Sequence, residues 1–259
     1  MTMLPKATGK KLGLVIDLDI CVGCHACAVA CKEWNAGGIS APLTDESAYD
    51  AEPFGIWFNR VHSYESEPSP HVCATSAPKD SKPPAPLTVH FPRSCLHCED
   101  AACVTVCPTG ASYKREADGI VLVDEDKCIG CKLCSWACPY GAREYSAVEG
   151  VMKKCTLCVD RIYNETLPEA ERQPACVMAC PTRARAFGDL GDPDSTVSKS
   201  VVERDGVAPL EQLGYRPTNR YLPPRPRRTG SDAESQSEET LNRDRLPPLL
   251  RWVDRVLSR

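Results

Sequence analysis

The sequence predicts an α+β fold built from two small, pseudo-symmetric modules with long loop insertions and an extended C-terminal segment. Three observations lead to this prediction. The 259-residue chain contains only four Phe and four Trp but 17 Cys, so ordinary apolar side chains are scarce for a core of this size. The cysteines recur in four groups of four. Residues 17–24 align without a gap with residues 124–131, which indicates that the pattern is duplicated.

The four cysteine groups share a tight spacing. Groups one and three follow C-x2-C-x2-C-x3-C, group two follows C-x2-C-x4-C-x3-C, and group four follows C-x2-C-x17-C-x3-C. Pro follows the last cysteine of groups two, three and four, whereas Lys32 takes that place in group one. In chain order the groups are Cys21, Cys24, Cys27 and Cys31; Cys95, Cys98, Cys103 and Cys107; Cys128, Cys131, Cys134 and Cys138; and Cys155, Cys158, Cys176 and Cys180. Cys73 lies outside the groups, and we expect a free thiol there.

Composition excludes several classes of protein. No apolar segment of the secretory type follows the N-terminal residues, so a disulfide framework is not expected. No run of residues approaches the roughly 18–20 apolar residues of a membrane span, so we expect a soluble or peripheral chain without a transmembrane segment. The net charge of −4 gives no basic surface, which argues against nucleic acid as a partner.

The spacing C-x2-C-x2-C-x3-C-P is the run with which bacterial two-cluster ferredoxins bind [4Fe–4S] clusters. Three thiolates on a tight loop reach one cubane, while the fourth cysteine begins a helix that leads away and ligates the neighbouring cubane. Gly23 and Gly130 stand before the second cysteines, where the backbone must pass close to a cluster. A structural zinc site is the alternative, and the spacing of group four taken alone leaves both open.

Groups two and three are close in sequence, so we expect them to form one ferredoxin-like module, the contiguous module, over residues 90–140. Groups one and four then form the interleaved module from residues 10–35 and 141–190. Exchange of fourth cysteines within each module predicts four quartets, each holding one [4Fe–4S] cluster. They are quartet A, Cys21, Cys24, Cys27 and Cys180; quartet B, Cys31, Cys155, Cys158 and Cys176; quartet C, Cys95, Cys98, Cys103 and Cys138; and quartet D, Cys107, Cys128, Cys131 and Cys134. Pairing of group one with group two would contradict this hypothesis.

Short strands and helices are expected around the groups. A β-like run covers 12–18, and hairpins are predicted from 111–115 with 120–123 and from 142–146 with 151–152. A short strand should follow each Cys-Pro pair, and a short helix should follow each third cysteine. An insertion is expected at 36–89, with a strand at 53–61 and a loop at 67–86. A loop-rich wrapping segment is expected at 191–228. Residues 229–259 are expected to contain a disordered linker and a short amphipathic tail helix.

Other polar and aromatic residues near the cysteines are secondary candidates. Cations beside the ligands could tune cluster potentials, although such side chains commonly face solvent; they are Lys32, Lys127, Lys132, Lys153, Lys154, Arg161 and Arg183. His25 and His97 could donate to a sulfide or ligate iron, and the four cysteines of each group argue against ligation. Trp34, Trp57 and Trp136 are expected to be packing residues. No residue is expected to be catalytic.

The chain also resembles a known family. The order of the four groups, the segment 95–100 leading to 107–111, and the segment 187–193 resemble the iron–sulfur subunits of molybdenum–bis(molybdopterin guanine dinucleotide) oxidoreductases, over about residues 12–200. These include the dimethyl sulfoxide, polysulfide, tetrathionate and formate enzymes. Within that family, residues 31–35 and 55–62 look most like the iron–sulfur subunit of a quinone-linked sulfite dehydrogenase.

The resemblance implies a non-catalytic electron-transfer subunit that carries four [4Fe–4S] clusters between two partners. One would be a large molybdenum catalytic subunit facing quartet A, and the other an integral membrane quinone-binding subunit facing quartet D. It also implies a peripheral position on the cytoplasmic face of the inner membrane, and sulfite oxidation to sulfate as the reaction of the complex. The alternatives are the same role in a dimethyl sulfoxide-, polysulfide- or tetrathionate-type reductase, a soluble polyferredoxin, and a hydrogenase-linked electron carrier.

Overall fold

We describe residues 3–6, 9–35, 56–66 and 87–225 of the protein from a computed structural model. The expected loop at 67–86, Cys73 and the expected linker and tail at 229–259 lie outside these residues. The mixture of short helices and short strands in the described part agrees with the predicted α+β class. None of the helices described there is long and apolar enough to cross a membrane.

A three-stranded sheet forms the centre of the molecule. Its middle strand, β1, spans Leu12–Asp17, and Leu14 and Ile16 on this strand are fully buried. Strand β8 (Arg185–Asp189) pairs with β1 in antiparallel orientation, and strand β9 (Arg220–Leu222) pairs with the other edge of β1 in parallel orientation. The sheet therefore joins the start of the chain to two segments that lie far along the sequence.

Two short hairpins flank the cysteine groups two to four, and both confirm the sequence prediction. Strands β4 (Ser112–Lys114) and β5 (Val121–Val123) pair in antiparallel orientation, as do β6 (Glu144–Ser146) and β7 (Val151–Lys153). Each strand has only three residues. Two-stranded hairpins of this size are marginally stable alone, so they depend on what packs against them.

Each cysteine group contributes a helix that begins one residue before its third cysteine rather than after it. These helices are α1 (Ala26–Asn35), α2 (Ala102–Thr105), α3 (Leu133–Trp136) and α5 (Ala175–Met178). A further helix, α4 (Val159–Ile162), lies between the second and third cysteines of group four. Further along are α6 (Thr196–Glu203) and two 3₁₀ turns, Glu169–Glu171 and Glu211–Leu213. The Ser195 hydroxyl caps α6 by accepting from the Ser198 amide at 3.2 Å.

The insertion contains a hairpin that the sequence analysis placed incorrectly. Strand β2 spans Asn59–Ser66 and pairs along its length with β3, Leu87–Ser94, in antiparallel orientation. The strand expected at 53–61 therefore starts only at Asn59, and β3 crosses the expected end of the insertion at residue 89. The local sequence pattern could not reveal this pairing, because a long segment separates the two strands.

The segment at 191–228 was expected to wrap the surface. Most of residues 191–216 are exposed or half-buried, whereas the stretch 217–222 enters the core and corrects the expectation there. The segment contains α6 and supplies β9 to the central sheet, where the Tyr221 ring is buried and stacks on Phe91 with centroids 4.3 Å apart. The buried Asn219 side chain joins this segment to two other parts of the chain. Its Oδ1 accepts from the Leu14 amide at 2.8 Å, and its Nδ2 donates to the Cys95 carbonyl at 3.0 Å. The stretch 217–222 is thus part of the core.

Candidate metal centres

Quartet A surrounds a cavity. The residues that line this cavity include all four quartet A cysteines, together with Gly23, Thr182 and Arg185. Three of the four cysteines come from the loop before α1 and from α1 itself, and the fourth follows α5. Strands β2 and β3 close one side through Val61 and Pro92. The structure therefore brings together four thiols that are as far apart as residues 21 and 180 in the sequence.

Quartet D surrounds a second cavity of the same kind. Its lining includes all four quartet D cysteines, together with Ser112, Arg143 and Met152. Ser112 belongs to β4 and Met152 to β7, so both hairpins face this cavity. Residues 141–153 were expected in the interleaved module, but Arg143 and Met152 contact quartet D. The expected boundary at residue 140 therefore divides a region that the structure keeps together.

The cysteines of quartets B and C are also brought together. Burial raises the pKa of the Cys31 thiol well above its ordinary value, and the nearby Cys155, Cys176 and Cys158 raise it further. In quartet C, burial again raises the pKa of Cys98, with Cys95, Cys103 and Cys138 as the next contributors. Every cysteine in the described residues is a free thiol. Quartets B and C are thus sets of buried or half-buried thiols in which burial and mutual repulsion disfavour the thiolate form.

Backbone amides point at several of these sulfur atoms. The Ser112 amide donates to Cys107 Sγ at 3.3 Å, and the Met152 amide donates to Cys128 Sγ at 3.3 Å. The Ala175 amide and the Asn35 Nδ2 each donate to Cys158 Sγ at 3.4 Å. Four thiols around a cavity, with N–H donors directed at the sulfurs, form a donor set that fits a [4Fe–4S] cluster, since such hydrogen bonds tune cluster potentials.

Neighbouring quartets adjoin one another in a single order. Arg185 lines the quartet A cavity, and its guanidinium opposes the rise in the pKa of Cys176 of quartet B that burial causes, so quartet A adjoins quartet B. Burial raises the pKa of Cys155 of quartet B to about 12; the nearby Lys154 ammonium opposes this rise, and the Cys176 and Cys95 thiols add to it. Because Cys95 belongs to quartet C, quartet B adjoins quartet C. Arg143 donates to Cys103 of quartet C and lines the quartet D cavity. The contacts therefore run A, B, C, D.

Exposure differs along this order. Quartet B is buried at all four cysteines, and quartet C is buried or half-buried. The two exposed cysteines among those described are Cys24 in quartet A and Cys131 in quartet D. The two terminal quartets are therefore the ones that reach the surface.

The cations expected beside the ligands divide into two kinds. Lys127 is exposed and pairs with Asp124, whereas Lys32 and Lys154 are buried. Sequence analysis missed two further cations, Arg143 and Arg185, which are 1% and 3% exposed. Each stands five residues after the last cysteine of its group, at a strand or beside one, and this shared offset was the signal that could have identified them.

The two histidines behave differently. His97 is fully buried, its Nδ1 accepts from the Val121 amide at 3.1 Å, and its Nε2 has no hydrogen-bond partner. Burial lowers the pKa of His97 well below its ordinary value, and the nearby Lys154, Arg143 and Lys114 lower it further. The ring is therefore neutral with a proton on Nε2, which makes that atom a donor. His25 is only half-buried, in the lining of the quartet A cavity.

The expected packing role of the tryptophans is wrong for Trp136, which is 78% exposed on α3. Trp34 is also exposed, and its Nε1 donates to Asp160 at 2.9 Å. Trp57 is half-buried beside Lys32.

Comparison with known families identifies the metal. Two family models, each described as a 4Fe-4S dicluster domain, match residues 20–111 and 87–190. Together they include all four cysteine groups. The match over group four removes the zinc alternative that its spacing had left open.

Several known proteins are similar to this chain over most of their length. The B subunit of sulfite dehydrogenase from Allochromatium vinosum is 54% identical over 224 residues, which is 86% of this chain and 88% of the relative. The B subunit of polysulfide reductase from Wolinella succinogenes is 36% identical over 80% of this chain and 92% of its own length. The B subunit of anaerobic dimethyl sulfoxide reductase from Escherichia coli is 34% identical over 83% of this chain and 89% of its own length.

Proposed function

Because this protein belongs to the family of iron–sulfur B subunits that includes those of sulfite dehydrogenase, polysulfide reductase and dimethyl sulfoxide reductase, we propose that it connects a molybdenum catalytic subunit to a membrane quinone-reactive subunit. The chain is an iron–sulfur electron-transfer subunit that carries four [4Fe–4S] clusters. These clusters, when bound, supply reversible one-electron oxidation and reduction. The ligands that we propose are the four cysteines of each quartet.

The observation that carries the proposal is the order of the quartets. Quartets B and C lie inside the row, and the exposed cysteines, Cys24 and Cys131, belong to its two ends. A subunit that passes electrons between two partners needs one accessible site for each partner and shielded sites between them. A diffusing carrier needs only one accessible site.

Exposed apolar side chains accompany both terminal quartets. Val22 and Val29 are exposed beside quartet A, and Ile129 and Trp136 are exposed beside quartet D. Val29 and Trp136 occupy the same place, five residues after the second cysteine of groups one and three. Exposed apolar side chains of this kind are typical of protein–protein contacts. We propose that quartet A faces the catalytic subunit and quartet D faces the membrane subunit, as in the family that the sequence resembles.

Sulfite is the substrate that we propose for the whole complex, with sulfate as the product. The support is the sulfite dehydrogenase relative, whose 54% identity exceeds the 36% of the polysulfide reductase subunit and the 34% of the dimethyl sulfoxide reductase subunit. Because the electrons leave through a quinone-reactive partner, the subunit would sit peripherally at the inner membrane. We propose its cytoplasmic face, as the resemblance to sulfite dehydrogenase implies.

The test is made in the purified complex with two variants at equivalent positions, Val29→Glu and Trp136→Glu. Cluster reduction is followed by visible absorbance, first with sulfite and then with a quinol as the electron donor. A carboxylate buried in a contact is costly. We therefore expect Val29→Glu to slow reduction by sulfite at least about tenfold and to leave reduction by quinol unchanged, and Trp136→Glu to do the reverse.

Val202→Glu is the matched control, because Val202 is exposed on α6 and lines the cavity of neither terminal quartet. Slower reduction by the same donor in both variants would contradict the two-ended arrangement. Reduction of the clusters by dimethyl sulfide or by hydrosulfide, but not by sulfite, would retain the electron-transfer role and overturn the substrate.

A further inference from the structure

Arg143 and Arg185 stand out because a buried guanidinium is rare and normally paired with a carboxylate. Neither side chain is more than 3% exposed. In the described residues, no carboxylate lies within ion-pair distance of either guanidinium. Arg143 Nη1 and both Nε and Nη1 of Arg185 have no hydrogen-bond partner. The charge that balances each arginine must therefore come from elsewhere.

The cysteine quartets provide that charge. Arg143 Nη2 donates to Cys103 Sγ of quartet C at 2.9 Å, and the same side chain lines the cavity of quartet D. Arg185 lines the cavity of quartet A, and it lies close enough to Cys176 of quartet B to oppose the rise in the pKa of that thiol that burial causes. Each arginine thus lies beside cysteines of both quartets of one module.

A polar side chain fixes each guanidinium in place. Ser112 Oγ accepts from Arg143 Nη2 at 2.8 Å, and Asn59 Oδ1 accepts from Arg185 Nη2 at 2.6 Å. Burial alone would lower the pKa of Arg143, but Cys103, Cys134 and Cys95 raise it above its ordinary value. Burial would likewise lower the pKa of Arg185, and Cys176 and Cys27 raise it. Both side chains are therefore permanent cations at fixed positions.

We propose that Arg143 and Arg185 are positioning residues, each serving as one fixed countercharge shared by the two clusters of its module and raising the reduction potential of both. Reduction adds one electron to a bound cluster and makes its ligand sphere more negative. A buried cation stabilises that extra charge more than the oxidised state, because screening is weak in the interior. The electron comes from the partner subunit or, in the test, from dithionite.

This inference rests on the proposed quartets, and the test separates the two. In the purified complex, all four midpoint potentials are measured by redox titration monitored by electron paramagnetic resonance, with iron content determined on the same samples. Arg143→Gln should make reduction of two clusters about tenfold less favourable, a shift of ~59 mV to lower potential for a one-electron couple. Arg185→Gln should shift the other two clusters and leave the first two unchanged.

Lys127→Gln is the matched control. Lys127 adjoins Cys128 in sequence but is exposed, so this variant should shift no potential. Full iron content with no shift in Arg143→Gln or Arg185→Gln, or a shift of the same clusters by both, would overturn the shared countercharge.

The quartets are tested separately with Cys98→Ser and Cys138→Ser, which should abolish the same cluster signal. Loss of two different signals would overturn the quartets instead.

Arg143→Lys and Arg185→Lys keep the inference testable if the glutamine variants fail to accumulate clusters. Lysine retains the charge but replaces the guanidinium that donates to Cys103 in the case of Arg143, or that lies beside Cys176 in the case of Arg185. We expect the same pairs of clusters to shift to lower potential by less than in the glutamine variants. A lysine variant with full iron and no selective shift would count against the proposal.

Discussion

The two modules bring their cysteines together in different ways. Quartets C and D use cysteines from residues 95–138, and the scaffold around them consists of two hairpins with three residues in each strand. Quartets A and B combine cysteines near residues 21–31 with cysteines at 155–180, and the sheet β8–β1–β9 holds these distant segments together. A contiguous metal site needs little protein scaffold, whereas an interleaved one requires a scaffold that is stable in its own right.

Removal of iron is the largest perturbation and should separate the modules. Metal binding contributes directly to the folding of small metal-rich domains. We expect chelation under reducing conditions to make amides of β4–β7 exchange at least about tenfold faster than amides of β1 and β9, because isolated two-stranded hairpins are marginal while β1 is paired on both edges. Hydrogen exchange with mass spectrometry measures this. Equal exchange in both regions would show that the sheet has no stability without metal.

The residue that joins the two modules gives the second test. Asn219→Ala leaves the Leu14 amide and the Cys95 carbonyl without their partners in a fully buried position. Each unsatisfied group costs about 1–3 kcal/mol, so we expect a loss of about 2–6 kcal/mol in the free energy of unfolding. The half-life of visible cluster absorbance in denaturant reports it. Gln212→Ala, an exposed change in the same segment, is the control and should retain the original half-life.

Two equivalent glycines give the smallest and sharpest comparison. Gly23 in the interleaved module and Gly130 in the contiguous module have φ of +67° and +66°. Alanine at either position destabilises the protein by about 1–2 kcal/mol, because it must adopt a left-handed backbone conformation. A Cβ at Gly130 would meet the Gly150 carbonyl oxygen at 2.4 Å, whereas a Cβ at Gly23 would meet the His90 ring, which can rotate away.

Gly130→Ala should therefore destabilise the protein by about 1–2 kcal/mol more than Gly23→Ala, since backbone cannot yield as a side chain can. Iron content after mild heating, compared between the two variants, measures the difference. A larger loss for Gly23→Ala would mean that the contact of His90 with Ser63 holds the ring more firmly than the hairpin holds Gly150.

Prediction from sequence succeeded where the signal is local. The cysteine spacing identified the four groups, and turn residues such as Asp118 and Gly119 located the hairpins. The strands β3 and β9 were missed because their partners lie far away in sequence, and a three-residue strand such as Arg220–Leu222 has no periodicity to detect.

The buried arginines were missed for a different reason. A charged side chain is normally predicted to lie at the surface. Arg143 and Arg185 depart from that rule, and cysteines of the proposed quartets lie beside both guanidinium groups. Only the superposition of groups three and four, which places both arginines at the same offset, would have singled them out.

The parallel pairing of β9 with β1 has a consequence for the order in which the protein matures. During synthesis the chain emerges from its N-terminus, so Cys138, which completes quartet C, is available well before Cys180, which completes quartet A. Strand β9 arrives later still, at Arg220–Leu222. The first strand must therefore remain unpaired on that edge until residues 220–222 have left the ribosome, so the interleaved module is completed later in synthesis than the contiguous one.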